Sequence, residues 1–373
     1  MKKGKYIWTA LHKWTGLVFG VLLTLICVTG AILSFEKELL PLTIHSRYYN
    51  TSPENTKPLK LQDLTEKITQ SAPGRQVKSI TFPSDPKRNL VASFADDPQT
   101  EVYVDPYTGD IVGSFTYKGS FFSTVRELHR FLLIGKPGRI ITGTTSLFFV
   151  FILVSGIFIN IPDTLRKLAS NFRLNWSGNS FRKTFRLHVV LGWYGFVFLL
   201  IMALTGPFWS FTWYNAGVSA LLGVKQTTSQ RSKTPDQTGV KELNSALFSR
   251  MEDKVIVLKA VQSDWKELRL AFPAPEDKSF TIAVIPQKQI HGRQSDTFTY
   301  RLSDGDLQKE SVFKTKPLQE TFRMWVFALH TGSWGGWAGK LIYCISALIG
   351  ATLPITGYIL WWKKRQIAKR NSK

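Results

Sequence analysis

Cysteine is nearly absent. The chain of 373 residues holds two, Cys27 and Cys344, and each falls inside a long apolar run. Neither a disulfide framework nor a cysteine-ligated metal site is expected, and both thiols read as small apolar packing groups. Acidic residues are also scarce, 26 against 48 lysines and arginines, which leaves a net charge of +22. No GxGxxG follows an expected strand, so direct use of a nicotinamide dinucleotide is not anticipated. The basic N-terminus leads into an apolar stretch, as in a signal peptide. That stretch is longer than a usual h-region, and no small-x-small cleavage site follows it before Glu36. It is expected to remain as a first membrane span.

What the chain does have is four long apolar stretches almost free of charge, at 15–35, 140–161, 188–213 and 341–362. Each reaches the ~20 residues that a spanning helix requires. Helices of that length in water-soluble proteins usually carry charge along one face. The positive charge surrounds these stretches instead. Lys2, Lys3, Lys5 and Lys13 precede the first; Arg166, Lys167, Arg173, Arg182, Lys183 and Arg186 lie between the second and third; Lys363, Lys364, Arg365, Lys369, Arg370 and Lys373 follow the fourth. A four-span topology puts all three clusters on one side, as the positive-inside bias requires. The expected order is a cytoplasmic N-terminus at 1–14, the first span, an outer segment at 36–139, the second span, and a cytoplasmic loop at 162–187. The third span, a second outer segment at 214–340, the fourth span and a cytoplasmic tail at 363–373 complete it. The basic excess is then a signal of membrane topology and not of nucleic-acid binding.

The chain also repeats itself. With His12 set over His188, Gly16 falls on Gly192, Thr29-Gly30 on Thr205-Gly206 and Phe35 on Phe211. With His129 set over His330, Arg139 meets Lys340 and Ser155-Gly156 meets Thr356-Gly357. Two parallel copies of span, outer domain and span are expected. In the first outer segment a helix at 61–71 precedes strands at 77–82, 90–94 and 101–104, a DPYTG turn at 105–109 and a last strand from Ile111. Residues 241–314 give a similar order, with a strand at 298–302 and the turn Ser303-Asp304-Gly305. Each outer domain is read as a small α+β unit with an antiparallel sheet. The Ser-, Thr- and Gln-rich stretch 227–239 is read as a connector.

Of six histidines, four are the repeat-matched His12, His129, His188 and His330. In a parallel duplication, equivalent residues face each other across a pseudo-twofold axis. His12 and His188 would then pair near the cytoplasmic face, and His129 and His330 near the outer face. Two imidazoles on opposite sides of one iron make a six-coordinate haem suited to electron transfer, and helix bundles build cofactor sites from facing side chains. No CxxCH occurs, so such haems are of the b type, not covalently attached by the c-type route. A bare zinc site lacks nearby carboxylates or cysteines. Gly30 and Gly206 fall near the level of the outer pair, and Gly156 and Gly357 near the inner pair. They are read as gaps that let a flat macrocycle pack between helices, or as ordinary small-residue helix contacts. Arg186 near the inner pair, and Arg126, Arg130 and Arg323 near the outer one, are either partners of haem propionates or interface anchors. The stretches 132–138 and 332–339, with their glycines and Pro137, suggest a broken or re-entrant helix. Trp8, Trp193, Trp209, Trp213, Trp334 and Trp337 fit an interfacial aromatic belt. His45 and His291 have no repeat partner and read as surface residues.

The segments LHKWTGLVFG, RELHRFLL, RLHVVLGW and ALHTG together resemble the PepSY-associated transmembrane proteins, and VYVDPYTGDIVGSF is similar to the close of a PepSY module. The resemblance covers nearly the whole chain. It implies four transmembrane helices as two repeats, two PepSY-like periplasmic α+β domains, and haem ligands at His12, His129, His188 and His330. It further implies an inner-membrane oxidoreductase that reduces a periplasmic ferric siderophore and releases the iron; the sequence leaves the electron donor open between a quinol and a cytoplasmic flavoprotein. The second outer domain departs from the family pattern at Ser303-Asp304-Gly305, which stands where the first has DPYTG. Two other readings remain at this stage. One is a cofactor-free membrane anchor whose PepSY domains bind a partner such as a protease; the other is a siderophore permease. Neither requires the matched histidines.

Overall fold

The structure is a computed structural model that describes residues 3–50, 57–162, 164–224, 243–289 and 294–371. The expected connector at 227–239 and His291 lie outside the described residues. In chain order, the helix α1 (Lys3–Leu33) is followed by α2 (Glu36–Thr43), α3 (His45–Tyr48) and α4 (Leu61–Ser71). Strands β1 (Val77–Pro83), β2 (Leu90–Phe94), β3 (Thr100–Val104) and β4 (Ile111–Thr116) come next. Helices α5 (Phe121–Phe131), α6 (Lys136–Asn160), α7 (Leu165–Ser170), α8 (Ser180–Thr205), α9 (Thr212–Leu221) and α10 (Ser245–Val261) occupy the middle of the chain. Strands β5 (Trp265–Ala271), β6 (Ser279–Pro286), β7 (Asp296–Arg301) and β8 (Leu307–Ser311) precede α11 (Leu318–Thr331) and α12 (Gly336–Asn371). The chain divides into a helical unit of Met1–Glu36, Phe121–Lys225 and Trp325–Lys373, and a sheet unit of Lys37–Ser120 and Gln226–Met324.

In the helical unit, four segments are long and apolar enough to cross a membrane: Gly4–Leu33, Lys136–Asn160, Ser180–Trp209 and Ser333–Asn371. Their outward faces carry large apolar side chains such as Val18, Val21, Phe148, Val154, Val197, Ile345 and Leu348. Apolar residues on the outside of a bundle are what hydrocarbon surroundings demand, because lipid tails are as apolar as the core. The helices overrun the apolar stretches, since hydropathy marks only the part bathed in lipid while the hydrogen-bonded coil continues into polar sequence. The third is the exception. Within the apolar stretch to residue 213 the helix is interrupted: α8 ends at Thr205, a single 3-10 turn spans Gly206–Trp209, and α9 starts afresh at Thr212. Pro207 accounts for the break, because its ring lacks an N–H and clashes with the preceding turn.

Helix α1 packs against α6 and α12, and α8 packs against the same two. The bundle therefore has α1 and α8 on one diagonal and α6 and α12 on the other. Its middle is an apolar layer of Leu23, Cys27, Phe149, Leu153, Leu199, Ala203 and Ala351. Two of the spans are preceded by a histidine-bearing helix and a sharp break. Between α5 and α6, Leu132, Leu133 and Gly135 have φ of 48°, 61° and 65°. Between α11 and α12, Gly332 and Gly336 have φ of 71° and 60° around a 3-10 turn. The expected broken helices are present, with left-handed residues as the hinge points.

The sheet unit differs from expectation in one respect. Two separate outer domains were anticipated, whereas the strands form one antiparallel sheet in the order β4-β3-β2-β1-β5-β6-β7-β8. Alone, each four-stranded meander would leave β1 or β5 as an unpaired edge, a template for aggregation. The two edges satisfy each other, with Ser79 opposite Ala271 and Pro83 opposite Glu267. The stripe Leu61, Leu64 and Ile68 on α4 and the stripe Phe248, Met251, Val255 and Leu258 on α10 cover one face in a single continuous core. Polar ties cross the seam. Arg88 bonds Glu267 at 2.9 Å, and the Arg269 Nε donates to Thr81 Oγ1 at 3.2 Å. Arg88 also lies over the Tyr48 ring at 4.3 Å, and burial pushes the Tyr48 hydroxyl up to about 12. The two hairpin turns that differ in sequence are alike in form. Gly109 N–H donates to Asp105 O at 2.9 Å and Gly305 N–H to Arg301 O at 3.0 Å, both glycines having positive φ. A helix-borne cation caps each turn: Lys67 donates to Thr108 O, and Arg250 to Leu302 O. The departure from DPYTG therefore preserves the backbone geometry.

Candidate functional site

The four repeat-matched histidines come together as two pairs within the helical unit. His12 on α1 and His188 on α8 have ring centroids 6.3 Å apart, with planes at 84°. His129 on α5 and His330 on α11 have centroids 6.4 Å apart, with planes at 61°. The pairs sit at opposite ends of the bundle. Seventeen residues of α1 separate His12 from Thr29, which bonds His129; at ~1.5 Å of rise per residue the two levels are about 25 Å apart. The apolar layer around Cys27 and Leu199 lies between them.

Each histidine is held by the same small device. His12 Nδ1 lies 3.0 Å from Ile152 O and 3.0 Å from Ser155 Oγ on α6. His129 Nδ1 lies 3.0 Å from Ile26 O and 3.0 Å from Thr29 Oγ1 on α1. His188 Nδ1 is 2.8 Å from Thr356 Oγ1 on α12, and His330 Nδ1 is 2.9 Å from Thr205 Oγ1 on α8. At His12 and His129 the carbonyl can only accept, so Nδ1 carries the proton and donates. Each hydroxyl spends its own proton on its helix: Ser155 donates to Ile152 O, Thr29 to Leu25 O, Thr205 to Ile201 O, and Thr356 to Leu353 O. The hydroxyl oxygen is thereby left to accept from the ring. One tautomer is fixed in all four cases, with Nε2 left as the free lone pair.

The glycine after each hydroxyl completes the device. A Cβ on Gly30 would stand 3.1 Å from His129 Cε1, and one on Gly156 would stand 3.0 Å from His12 Cε1. On Gly206 and Gly357 the corresponding distances to His330 and His188 are 3.9 Å. At Gly30 and Gly156 the missing side chain makes room for the imidazole, and Gly156 and Gly357 also line a cavity beside His12 and His188. Thr29, Ser155, Thr205 and Thr356 belong to the candidate site through these bonds, and sequence reasoning gave them no part in it. The available signal was that each precedes a repeat-matched glycine.

A cavity of about 580 Å³ opens beside His12 and His188, lined largely by apolar and aromatic groups that include Phe149, Phe185, Phe196 and Trp361. That volume is in the range of cofactor and ligand sites. Trp193 lines it, and its buried indole N–H has no acceptor among the described residues. Trp209 stands edge-on to His330 with centroids 5.3 Å apart. Two of the tryptophans assigned to an interfacial belt therefore belong to the histidine sites. Among the described residues, no group of three or more His, Cys, Asp or Glu side chains could hold a metal ion.

The candidate arginines fall out differently. Arg126 is bound to both carboxylate oxygens of Glu36, at 2.7 and 2.8 Å. Arg186 donates to Ser170 O and Arg173 O. Arg130 lies over the Phe131 ring at 4.9 Å. Arg323 falls in the sheet unit. His45 is exposed on α3 beside Tyr49.

Four apolar spans with facing histidine pairs at both ends of the bundle, joined in sequence to an antiparallel sheet, define a polytopic membrane protein. The family model described as PepSY-associated TM region matches residues 9–364, and the chain belongs to that family. No curated protein matches the chain.

Proposed function

We propose that the chain binds two b-type haems, one of which would be held by His12 and His188 and the other by His129 and His330. In this reading it conducts electrons across the inner membrane to a periplasmic ferric siderophore. The observation that carries the reading is the pair geometry together with the tautomer. Metal–nitrogen bonds of about 2.0 Å and ring radii of about 1.1 Å put the centroids of two imidazoles on opposite sides of one metal about 6 Å apart. A donor set of two histidines also suits a metal whose other ligands come from a macrocycle.

The residues around the rings supply orientation. A ligating histidine whose other nitrogen donates to an oxygen is fixed in rotation and made more basic. The haem supplies the one-electron chemistry, and the protein sets its position and polarity. The apolar layer between the pairs keeps water and ions from following the electron. Basic residues support placing the His12 end at the cytoplasm: Lys5 and Lys13 on α1, Arg182 and Lys183 on α8, and Lys364 and Arg365 on α12 all cluster there. The symmetric strand order and the matched turns support two repeats whose outer parts share one periplasmic sheet. A ferric siderophore is the fitting electron acceptor because reduction weakens the hold of hard oxygen ligands on iron, which frees the metal and spares the carrier. The donor, quinol or cytoplasmic flavoprotein, would deliver at the His12 end.

The test is a haem-to-protein ratio with reduced-minus-oxidised spectra on the detergent-solubilised chain and on the four single His→Ala variants. Two b-type haems per chain, each lost with either member of its pair, and reoxidation of the reduced protein by a ferric siderophore are the expected results. A colourless protein from haem-replete cells would refute the reading and leave a partner-binding membrane anchor as the better account.

A further inference from the structure

The cavity beside His12 and His188 has an uneven charge. Lys13, Lys364 and Arg365 line it, and among the described residues no acidic side chain does. Cations gathered at the mouth of an apolar cavity without a counter-charge favour an anionic group there. Their positions are partly preset. Arg365 lies over the Trp361 ring at 4.8 Å, and Lys13 over the Trp14 ring at 4.6 Å. Lys364 is two helical turns beyond Gly357, so it shares the helix face that meets His188. Two neighbouring cations are already committed elsewhere. Arg186 is held by backbone carbonyls, and Lys363 donates to Ser180 Oγ at 2.6 Å.

We propose that Lys13, Lys364 and Arg365 bind the carboxylates of the macrocycle held by His12 and His188. The proposal rests on the haem reading above. It replaces Arg186, the partner suggested by sequence, with residues that line the cavity. The same cations could instead serve anionic lipid headgroups, which carry similar negative oxygens, and the experiment separates the two sources.

Full-length chain produced under haem limitation is titrated in a neutral detergent with haem and with haem dimethyl ester, whose carboxylates are masked. Wild type is compared with the triple variant Lys13→Gln, Lys364→Gln and Arg365→Gln, and with the charge-keeping pair Lys364→Arg and Arg365→Lys. The expected result is that the triple variant binds haem about 10- to 100-fold more weakly at one of its two sites, the scale of an outer-shell partner. Its affinity for the ester should equal that of wild type, and the charge-keeping pair should behave as wild type. The midpoint potential of that one haem should fall, because removing positive charge favours the ferric form. Equal haem affinity in wild type and triple variant would overturn the proposal. So would a triple variant that loses only its binding to vesicles containing phosphatidylglycerol, since lipid would then be the occupant. A wild type that takes up neither haem nor ester would refute the haem reading itself, a distinct result.

Discussion

The contrast between Gly156→Ala and Gly357→Ala tests the site most sharply, because both glycines serve the same histidine pair. At Gly156 a methyl group would stand 3.0 Å from His12 Cε1. Carbon contacts are optimal at about 3.5–4.0 Å, so the ring must retreat by about half an ångström or more. The ring is tied by two bonds of 3.0 Å to Ile152 O and Ser155 Oγ, which such a retreat stretches past useful length. Overpacking costs about 1–3 kcal/mol, and a lost hydrogen bond adds about 0.5–1.5 kcal/mol. Affinity at that site should fall at least tenfold, since about 1.4 kcal/mol is a factor of ten. At Gly357 the same methyl group meets His188 Cε1 at 3.9 Å, an ordinary contact. Both changes gain about 1 kcal/mol of helix propensity, which should leave the apo midpoint of Gly357→Ala unlowered, whereas the crowding at His12 outweighs that gain in Gly156→Ala and should lower its midpoint. Haem titration with reduced-minus-oxidised spectra is the assay. One haem lost from Gly156→Ala and none from Gly357→Ala is the expected outcome. Equal loss from both, or from neither, would refute the steric reasoning.

Thr205→Val removes a hydrogen-bond acceptor from His330 and keeps the shape, so it should retain both haems but shift the potential of the outer one in a redox titration. An unchanged potential would remove the hydroxyl from the clamp. Arg126→Gln should leave haem content untouched while lowering thermal stability, because Arg126 serves Glu36; loss of haem would return it to the list of ligand partners. Leu133→Gly should stabilise the chain by about 1 kcal/mol in thermal denaturation, since the exposed Leu133 has φ of 61° and a left-handed side chain costs about that much. In the sheet, Leu270→Ala should cost about 2–5 kcal/mol, as Leu270 is wholly buried where the two meanders join; a cost below 1 kcal/mol would mean the seam is not part of the shared core.

The apolar runs, the strands of the first meander and the helix at Leu61–Ser71 were legible because each follows a single period over enough residues to stand out. The pairing of β1 with β5 was not, since nothing local distinguishes an edge strand that meets another edge from one that meets solvent. The helix break within the third apolar stretch was not legible because hydropathy stays high through Gly206, Pro207 and Phe208, and only the backbone chemistry of Pro207 ends the helix. At the site, the grouping of the histidines followed from duplication alone. The clamp did not, because Ser and Thr in an apolar helix usually bond back to their own backbone. Thr29 and Thr205 do so as well, and their second role shows only when a ring arrives from another helix.

The arrangement of donors has a consequence for assembly. Every histidine pair takes one ring from the N-terminal half and one from the C-terminal half: His12 with His188, and His129 with His330. The clamps stay within a half instead. Ser155 holds His12 and Thr29 holds His129, while Thr356 holds His188 and Thr205 holds His330. Each half can therefore orient its own two rings before it meets the other, and a shared ligand would then bridge the halves at both ends of the bundle. A ligand that binds only the assembled form stabilises it in proportion to its affinity. The sheet repeats this logic without a ligand, since the β1 edge of one meander is closed by the β5 edge of the other.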